Sequence, residues 1–350
     1  SLALEQRPEV QGALVSLEPE TGRVKSLIGG YSFSASQFNR ATQAKRQPGS
    51  AFKPVVYSTA LEKGYTTADQ VLDAPVVMQA EKAGAYWKPR NYGLDVQGKV
   101  LLRTGLVHSI NLATIRLAER VGLGDIIEQA KQLGIQGPFP RDLTLAIGSL
   151  GVTPMRLCRA YTAFVREGSV IDPVLITRVA DSWGKELYAA DKETERATSP
   201  QVSYIMTELL KQAVEDGTGW RVKKLGRPVA GKTGTTNNQQ DAWFIGYTPN
   251  LLTGVYVGFD TPRSMGKYET GSRAASPIWL DYRQATKGLY PVRAFDRPKG
   301  IVMAKTSART GLLAGSQTGK TYLLPFRSGK QPHEISGYES QESELLKKVF

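Results

Sequence analysis

Three short groups of residues have the types and spacing that acyl chemistry at a serine needs. Ser50-Ala51-Phe52-Lys53 comes first, Ser109-Ile110-Asn111 second and Lys232-Thr233-Gly234-Thr235 third. Each alone recurs by chance in chains of this length, so their order and surroundings carry the argument. On a helix, residues three apart share a face, which lets the Ser50 hydroxyl and the Lys53 amine meet. A serine hydroxyl is a poor nucleophile until a base takes its proton. A lysine serves as that base only when its neutral form is accessible, and burial or a neighbouring positive charge lowers its pKa in that direction. Lys232 can supply the second charge. A serine at a helix start also has the positive end of the helix dipole and free N–H groups beside it, which suit a developing oxyanion. Gly49 removes a side chain that would crowd the approach.

The third group reads as part of a strand in which Gly234 lets a substrate backbone come close. Thr233 and Thr235 offer hydroxyls, and Lys232 a charge, to a carboxylate. Ser109 and Asn111, on a turn between two helical stretches, offer a hydroxyl that can pass a proton and an amide that can hold a peptide carbonyl. The whole set describes acyl transfer to serine.

These groups need elements to position them. Residues 13–17 and 23–28 are β-like runs joined by Glu18-Pro19-Glu20-Thr21-Gly22, a hairpin signal. Gly29-Gly30 ends the second run, and a polar loop then delivers Ser50. A helix is expected from Ser50 through Lys63, because Phe52, Val55, Val56, Thr59 and Ala60 return at intervals of three and four; Pro54 is tolerable only in its first turn. Residues 64–100 are punctuated by Gly and Pro, and the aromatic, basic stretch 86–92 reads either as a cleft wall or as an ordinary surface loop. Helical periodicity dominates 102–134, 153–167 and 199–215, which predicts an α-rich part. Residues 242–247 and 251–259, joined by Thr248-Pro249-Asn250, predict a second hairpin and so a mixed α/β (α+β) fold class with a sheet edged by helices. Residues 11–292 are expected to be the main domain, 1–10 a linker from a preceding region, and 293–350 a small β-rich appendage or tail.

Composition sets the limits. The chain has 350 residues and a formal charge of +13, which calls for considering an anionic partner. Lys and Arg are scattered, and no nucleic-acid-binding signature is present, so no nucleic-acid partner is expected. No stretch approaches the roughly 18 uninterrupted apolar residues of a membrane span, and no secretory leader is recognisable. The lone Cys158 sits in an apolar stretch and reads as packing. His108 and His333 lack metal-site spacing, so neither a metal nor a cofactor is expected.

The run Phe38-Asn39-Arg40-Ala41-Thr42-Gln43-Ala44-Lys45-Arg46-Gln47-Pro48-Gly49-Ser50-Ala51-Phe52-Lys53-Pro54 closely resembles the approach to the active serine in class A penicillin-binding proteins. Similarity extends to residues 15–30, 87–92 and 231–236, to Leu145-Ala146-Ile147-Gly148-Ser149, and to Asp241-Ala242-Trp243-Phe244-Ile245-Gly246-Tyr247. The resemblance implies a penicillin-binding/serine β-lactamase-like fold, with a central antiparallel sheet flanked by helices and an α-rich subdomain. It implies Ser50 as nucleophile, Lys53 as general base, Ser109 as proton relay and Asn111 as orienter. Lys232, Thr233 and Thr235, with Gly234 between them, would bind the substrate carboxylate, and the N–H groups of Ser50 and Thr235 would form the oxyanion hole.

By the same resemblance, the reaction joins peptidoglycan stem peptides carried on lipid II-derived glycan strands. Ser50 attacks the D-alanyl-D-alanine bond, D-alanine leaves, and a neighbouring stem's amine takes the acyl group; β-lactams acylate Ser50 instead. Members of this class usually carry a membrane anchor and a glycosyltransferase domain ahead of this region, which implies the extracytoplasmic face of the membrane. Three other readings compete. A serine β-lactamase needs a further group to activate water, none is recognisable, and Ile110 stands where Asp would favour it. A D,D-carboxypeptidase differs only in using water as acceptor. A non-catalytic β-lactam sensor or scaffold is disfavoured by the intact Lys53, Ser109, Asn111 and Lys232.

Overall fold

The computed structural model describes residue 6 and residues 8–79, 86–191 and 193–337. Strands β1 (Gln11–Leu17) and β2 (Val24–Ile28) form the first expected hairpin, turning at Gly22, whose φ of 71° suits glycine. Strands β3 (Ala230–Thr235), β4 (Asp241–Thr248) and β5 (Leu251–Gly258) complete one sheet in the order β3-β4-β5-β1-β2, with every neighbouring pair antiparallel. The third motif therefore lies on an edge strand.

Every residue of β4 is buried, as a strand covered on both faces requires. Its side chains alternate between two cores. Trp243, Ile245 and Tyr247 join the larger, helical core, while Phe244 meets Trp279 of the helix Ser276–Ala285 on the other face. Those two rings lie 5.3 Å apart at 77°, an edge-to-face contact that adds about 0.5–1.5 kcal/mol beyond burial. Cys158 is buried in the larger core, and its thiol is pushed up to about 12 by burial, so it packs and stays inert.

The α-rich part holds α1 (Lys53–Glu62), α2 (Leu102–Val107), α3 (Asn111–Val121), α4 (Leu123–Gln132), α5 (Pro154–Val165) and α6 (Pro200–Glu215). Thr153 and Ser199 cap α5 and α6, each with a proline in the first turn. Residues 53–61 of α1 are all buried. A helix apolar around its whole circumference is stable only inside a protein, and that placement carries Lys53 into the interior.

Three expectations need correction. The helix through Lys63 does not start at Ser50: residues Gly49–Phe52 form a tighter 3-10 turn closed by the Lys53 N–H on the Ser50 carbonyl, because Pro54 has no N–H to give that oxygen. The stretch 102–134 turns around Ser109 (φ 58°), as expected between two helical stretches, but breaks again at Gly122 (φ 99°), giving three helices. The stretch 64–100, read only as punctuated by Gly and Pro, contains short strand pairs, Gln70–Asp73 with Gly98–Leu101 and Met78–Gln79 with Tyr86–Trp87, too brief to leave a periodic signal.

Beyond the sheet, β6 (Ile301–Ser307) and β7 (Thr321–Arg327) pair as a hairpin. Leu324 and Phe326 pack with Ala68, Arg327 bonds Glu62 at 2.5 Å, and the Arg103 guanidinium sits 3.9 Å over the Tyr322 ring. Residues 338–350 of the expected tail, and 1–5 and 7 of the expected linker, lie outside the described residues.

Candidate active site

The 3-10 turn, the α2–α3 turn and edge strand β3 bring the three motifs together. Lys53 and Lys232 are both fully buried. The Lys53 amine donates to the Ser109 carbonyl at 2.6 Å and to Asn111 Oδ1 at 2.8 Å, and lies 3.2 Å from Ser109 Oγ. Lys232 Nζ reaches the same Ser109 Oγ at 3.0 Å and the Thr233 carbonyl at 3.2 Å. One hydroxyl thus stands between two amines. The left-handed conformation of Ser109 turns its carbonyl and its hydroxyl toward that interior, an uncommon arrangement that the surrounding packing must hold.

Burial, with a smaller contribution from Lys232, holds the Lys53 amine well below its usual pKa. Burial alone brings Lys232 down to about 7. Among the described residues, no carboxylate pairs with either amine. Two buried lysines without a counter-charge are expensive for the fold, and that expense marks a functional site. The Asn111 amide is oriented by its own Nδ2, which donates to the Arg90 carbonyl at 2.9 Å.

An open cleft of about 900 Å3 lies against this cluster, lined by Ser50, Ser109, Asn111, Thr233 and Thr235. The stretch 87–93 lines it too, so the aromatic and basic segment is a cleft wall. Lys232 stands beneath the cleft, behind Ser109, where it supplies the second charge near Lys53. Thr233 Oγ1 bonds Thr218 at 2.7 Å, and Thr235 Oγ1 accepts the Gly271 N–H at 3.0 Å.

Both glycines pack closely against protein atoms. A Cβ on Gly234 would sit 2.3 Å from the Pro48 carbonyl oxygen, so this glycine admits the close approach of the Ser50 loop. A Cβ on Gly49 would sit 2.4 Å from the Thr235 carbonyl oxygen, and Gly49 has φ 53°. Gly148 and Gly271 interlock similarly, their added Cβ atoms meeting Gly49 O at 2.2 Å and Trp243 O at 2.3 Å. Gly49 and Gly234 let the serine turn lie directly on the edge strand, while Gly148 and Gly271 admit their own loops against that turn and that strand. Thr218, Trp220 and Asn91, which also line the cleft, were not singled out individually from sequence. Asn91 falls inside the stretch 87–92 that carried the resemblance, whereas nothing near Thr218 gave a signal.

The half-buried Ser50 and the Ser109 hydroxyl that both lysines contact line one cleft at the edge of an antiparallel sheet, an arrangement that suits acyl transfer to serine. The family model for the penicillin binding protein transpeptidase domain matches residues 12–282, and the chain belongs to that family. Penicillin-binding protein 1A of Aquifex aeolicus is 38% identical over 326 residues, covering 93% of this chain and 45% of that protein. The chain therefore spans less than half the length of this relative. The crystal structure of penicillin-binding protein 1A from Haemophilus influenzae superposes with a TM-score of 0.89 at 31% identity, covering 95% of this chain and 56% of that one. PonA1 of Mycobacterium tuberculosis, solved in complex with penicillin V, gives a TM-score of 0.73 at 26% identity, over 84% of this chain and 82% of that one.

Proposed function

We propose that this chain is a D,D-transpeptidase that crosslinks peptidoglycan stem peptides through an ester on Ser50. The observation that carries the reading is the hydrogen bonding of Lys53. The Ser109 carbonyl and the oriented Asn111 Oδ1 are acceptors only, so they use two N–H groups of the amine. A neutral amine has two N–H groups and one lone pair. Its lone pair is then left for a hydroxyl proton, and the depressed pKa makes that neutral form available.

Ser50 Oγ gives its proton to Lys53 and bonds to the carbonyl carbon of the penultimate D-alanine. The oxyanion is held by the N–H groups of Ser50 and Thr235. As the C–N bond breaks, the departing D-alanine amine takes a proton through Ser109 Oγ, which both lysines contact. An acceptor amine then attacks the ester, loses its proton to the same relay, and Ser50 leaves as the hydroxyl. Thr233 and Thr235 receive the donor's terminal carboxylate, with the charge of Lys232 acting through Ser109. A β-lactam enters as the donor does and stops at the ester; PonA1, similar in fold and solved with penicillin V, supports that assignment.

In the whole protein we place this domain at the extracytoplasmic face of a membrane, with an anchor and a glycosyltransferase domain supplying lipid II-derived strands. Among the described residues, no helix is long and apolar enough to cross a membrane. The reading is tested by mixing the chain with a stem pentapeptide ending in D-alanyl-D-alanine and an amine acceptor, and separating products by mass. Joined peptide with stoichiometric release of D-alanine is the expected result. Shortened donor with no joined peptide would make it a carboxypeptidase, and acylation without either product a sensor.

A further inference from the structure

The lysine is held by Asn111, and Asn111 is held in turn by a residue on the cleft wall. Asn91 Oδ1 accepts the backbone N–H groups of Asn111 at 3.0 Å and Leu112 at 3.1 Å, the first two residues of α3. Ile110, at the position that usually caps a helix, has no side-chain oxygen, so the cap of α3 comes from Asn91 across the cleft wall. The other end of the amide donates to Asp73 Oδ1 at 2.8 Å and to the Asp95 carbonyl at 2.9 Å.

Asp73 is fully buried, and its second oxygen accepts the Gln97 N–H at 2.9 Å. All four hydrogen-bonding positions of the Asn91 amide are therefore used, two as acceptor and two as donor. The main chain closes the ring, since the neighbouring Arg90 carbonyl accepts from Asn111 Nδ2. Neither serine nor aspartate could replace this amide: serine has one donor, and a carboxylate has none and would face that of Asp73.

We propose that Asn91 is a positioning residue for the Lys53 amine, acting through Asn111, and that Asp73 is the anchor that holds it there. The inference rests on Lys53 being the base of the acylation described above. Because Asn111 Oδ1 fixes one N–H of Lys53, the cap on Asn111 sets the direction of the remaining lone pair. Thermal motion of an uncapped first turn would blur that direction without removing any group that touches the reacting atoms.

The test is stopped-flow acylation by a fluorescent penicillin, separating the initial dissociation constant from the acylation rate constant, with thermal unfolding measured alongside. Asn91→Ala is expected to lower the rate constant by about 10- to 100-fold, the scale set by small displacements of a catalytic group, while the dissociation constant changes far less. Asn91→Asp is expected to fall similarly, because its carboxylate meets Asp73. Adding Asp73→Asn to it restores a donor–acceptor pair and recovers a large part of the lost rate. A role in folding alone would lower the melting temperature and the reactive fraction but leave the rate constant of the folded fraction unchanged, and that result overturns the inference. So does a double variant no faster than Asn91→Asp. If the unmodified chain forms no adduct, the proposed function falls, and this inference with it; a normal adduct with an unaffected Asn91→Ala rate removes the inference alone.

Discussion

Lys53→Met is expected to lower the rate of acylation by a β-lactam about 10²- to 10⁴-fold, the usual contribution of a positioned base. Methionine is close in length and suits a buried site, so the chain should still fold. Lys53 does not line the cleft, so initial binding of the drug should change little. The pH dependence follows from the same group. Protonation removes the lone pair, so the rate falls as pH drops through the pKa of Lys53. Burial, helped by Lys232, holds that pKa well below the usual lysine value, so the acid limb lies at lower pH than an ordinary lysine would give. Lys232→Met removes the like charge, so the pKa of Lys53 should rise and the acid limb of the rate profile should move to higher pH. A Lys53→Met rate within tenfold of the unmodified chain would exclude Lys53 as the base.

The second large effect is expected where no reacting group is touched. Gly49→Ala puts a methyl 2.4 Å from the Thr235 carbonyl oxygen, at a backbone φ of 53°. The left-handed conformation costs about 1–2 kcal/mol for an alanine, and the contact forces the Ser50 turn away from the edge strand. Displacement of a nucleophile on the order of 1 Å lowers rates about 100-fold, so acylation should fall by at least that much, with a lower melting temperature. Gly64→Ala is the control: it too has a positive φ, 95°, but nothing stands within 4 Å of its added Cβ. It should carry only the backbone cost and leave acylation unchanged. Equal loss of acylation in both variants would refute the interlocking-glycine account.

Much of this was legible in the chain because the signals are local. Ser50 and Lys53 are three residues apart, the two hairpins have their turn residues in place, and α5 and α6 show a regular apolar period. The convergence of Ser109, Asn111 and Lys232 on Lys53 rested on the order of the motifs and on resemblance, and the distances agree with that grouping. What sequence could not give depends on contacts between distant segments. Gly49 and Gly234 read as room for substrate, and the atoms they leave room for belong to Thr235 and Pro48. Lys232 read as a second charge near Lys53 and as a charge for a carboxylate; its burial behind Ser109 follows from how β3 packs against the helical core. The cap on α3 comes from a residue 20 positions earlier, so no window around Asn111 contains it.

The central claim is that Ser50 becomes covalently acylated. Intact mass of the chain after incubation with a penicillin, followed by peptide mapping, tests it directly. The expected result is a gain of one drug mass, located on the peptide carrying Ser50 and absent from an equally folded Ser50→Ala chain. An adduct that survives Ser50→Ala, an adduct mapped to another residue, or no adduct on a demonstrably folded chain would contradict it.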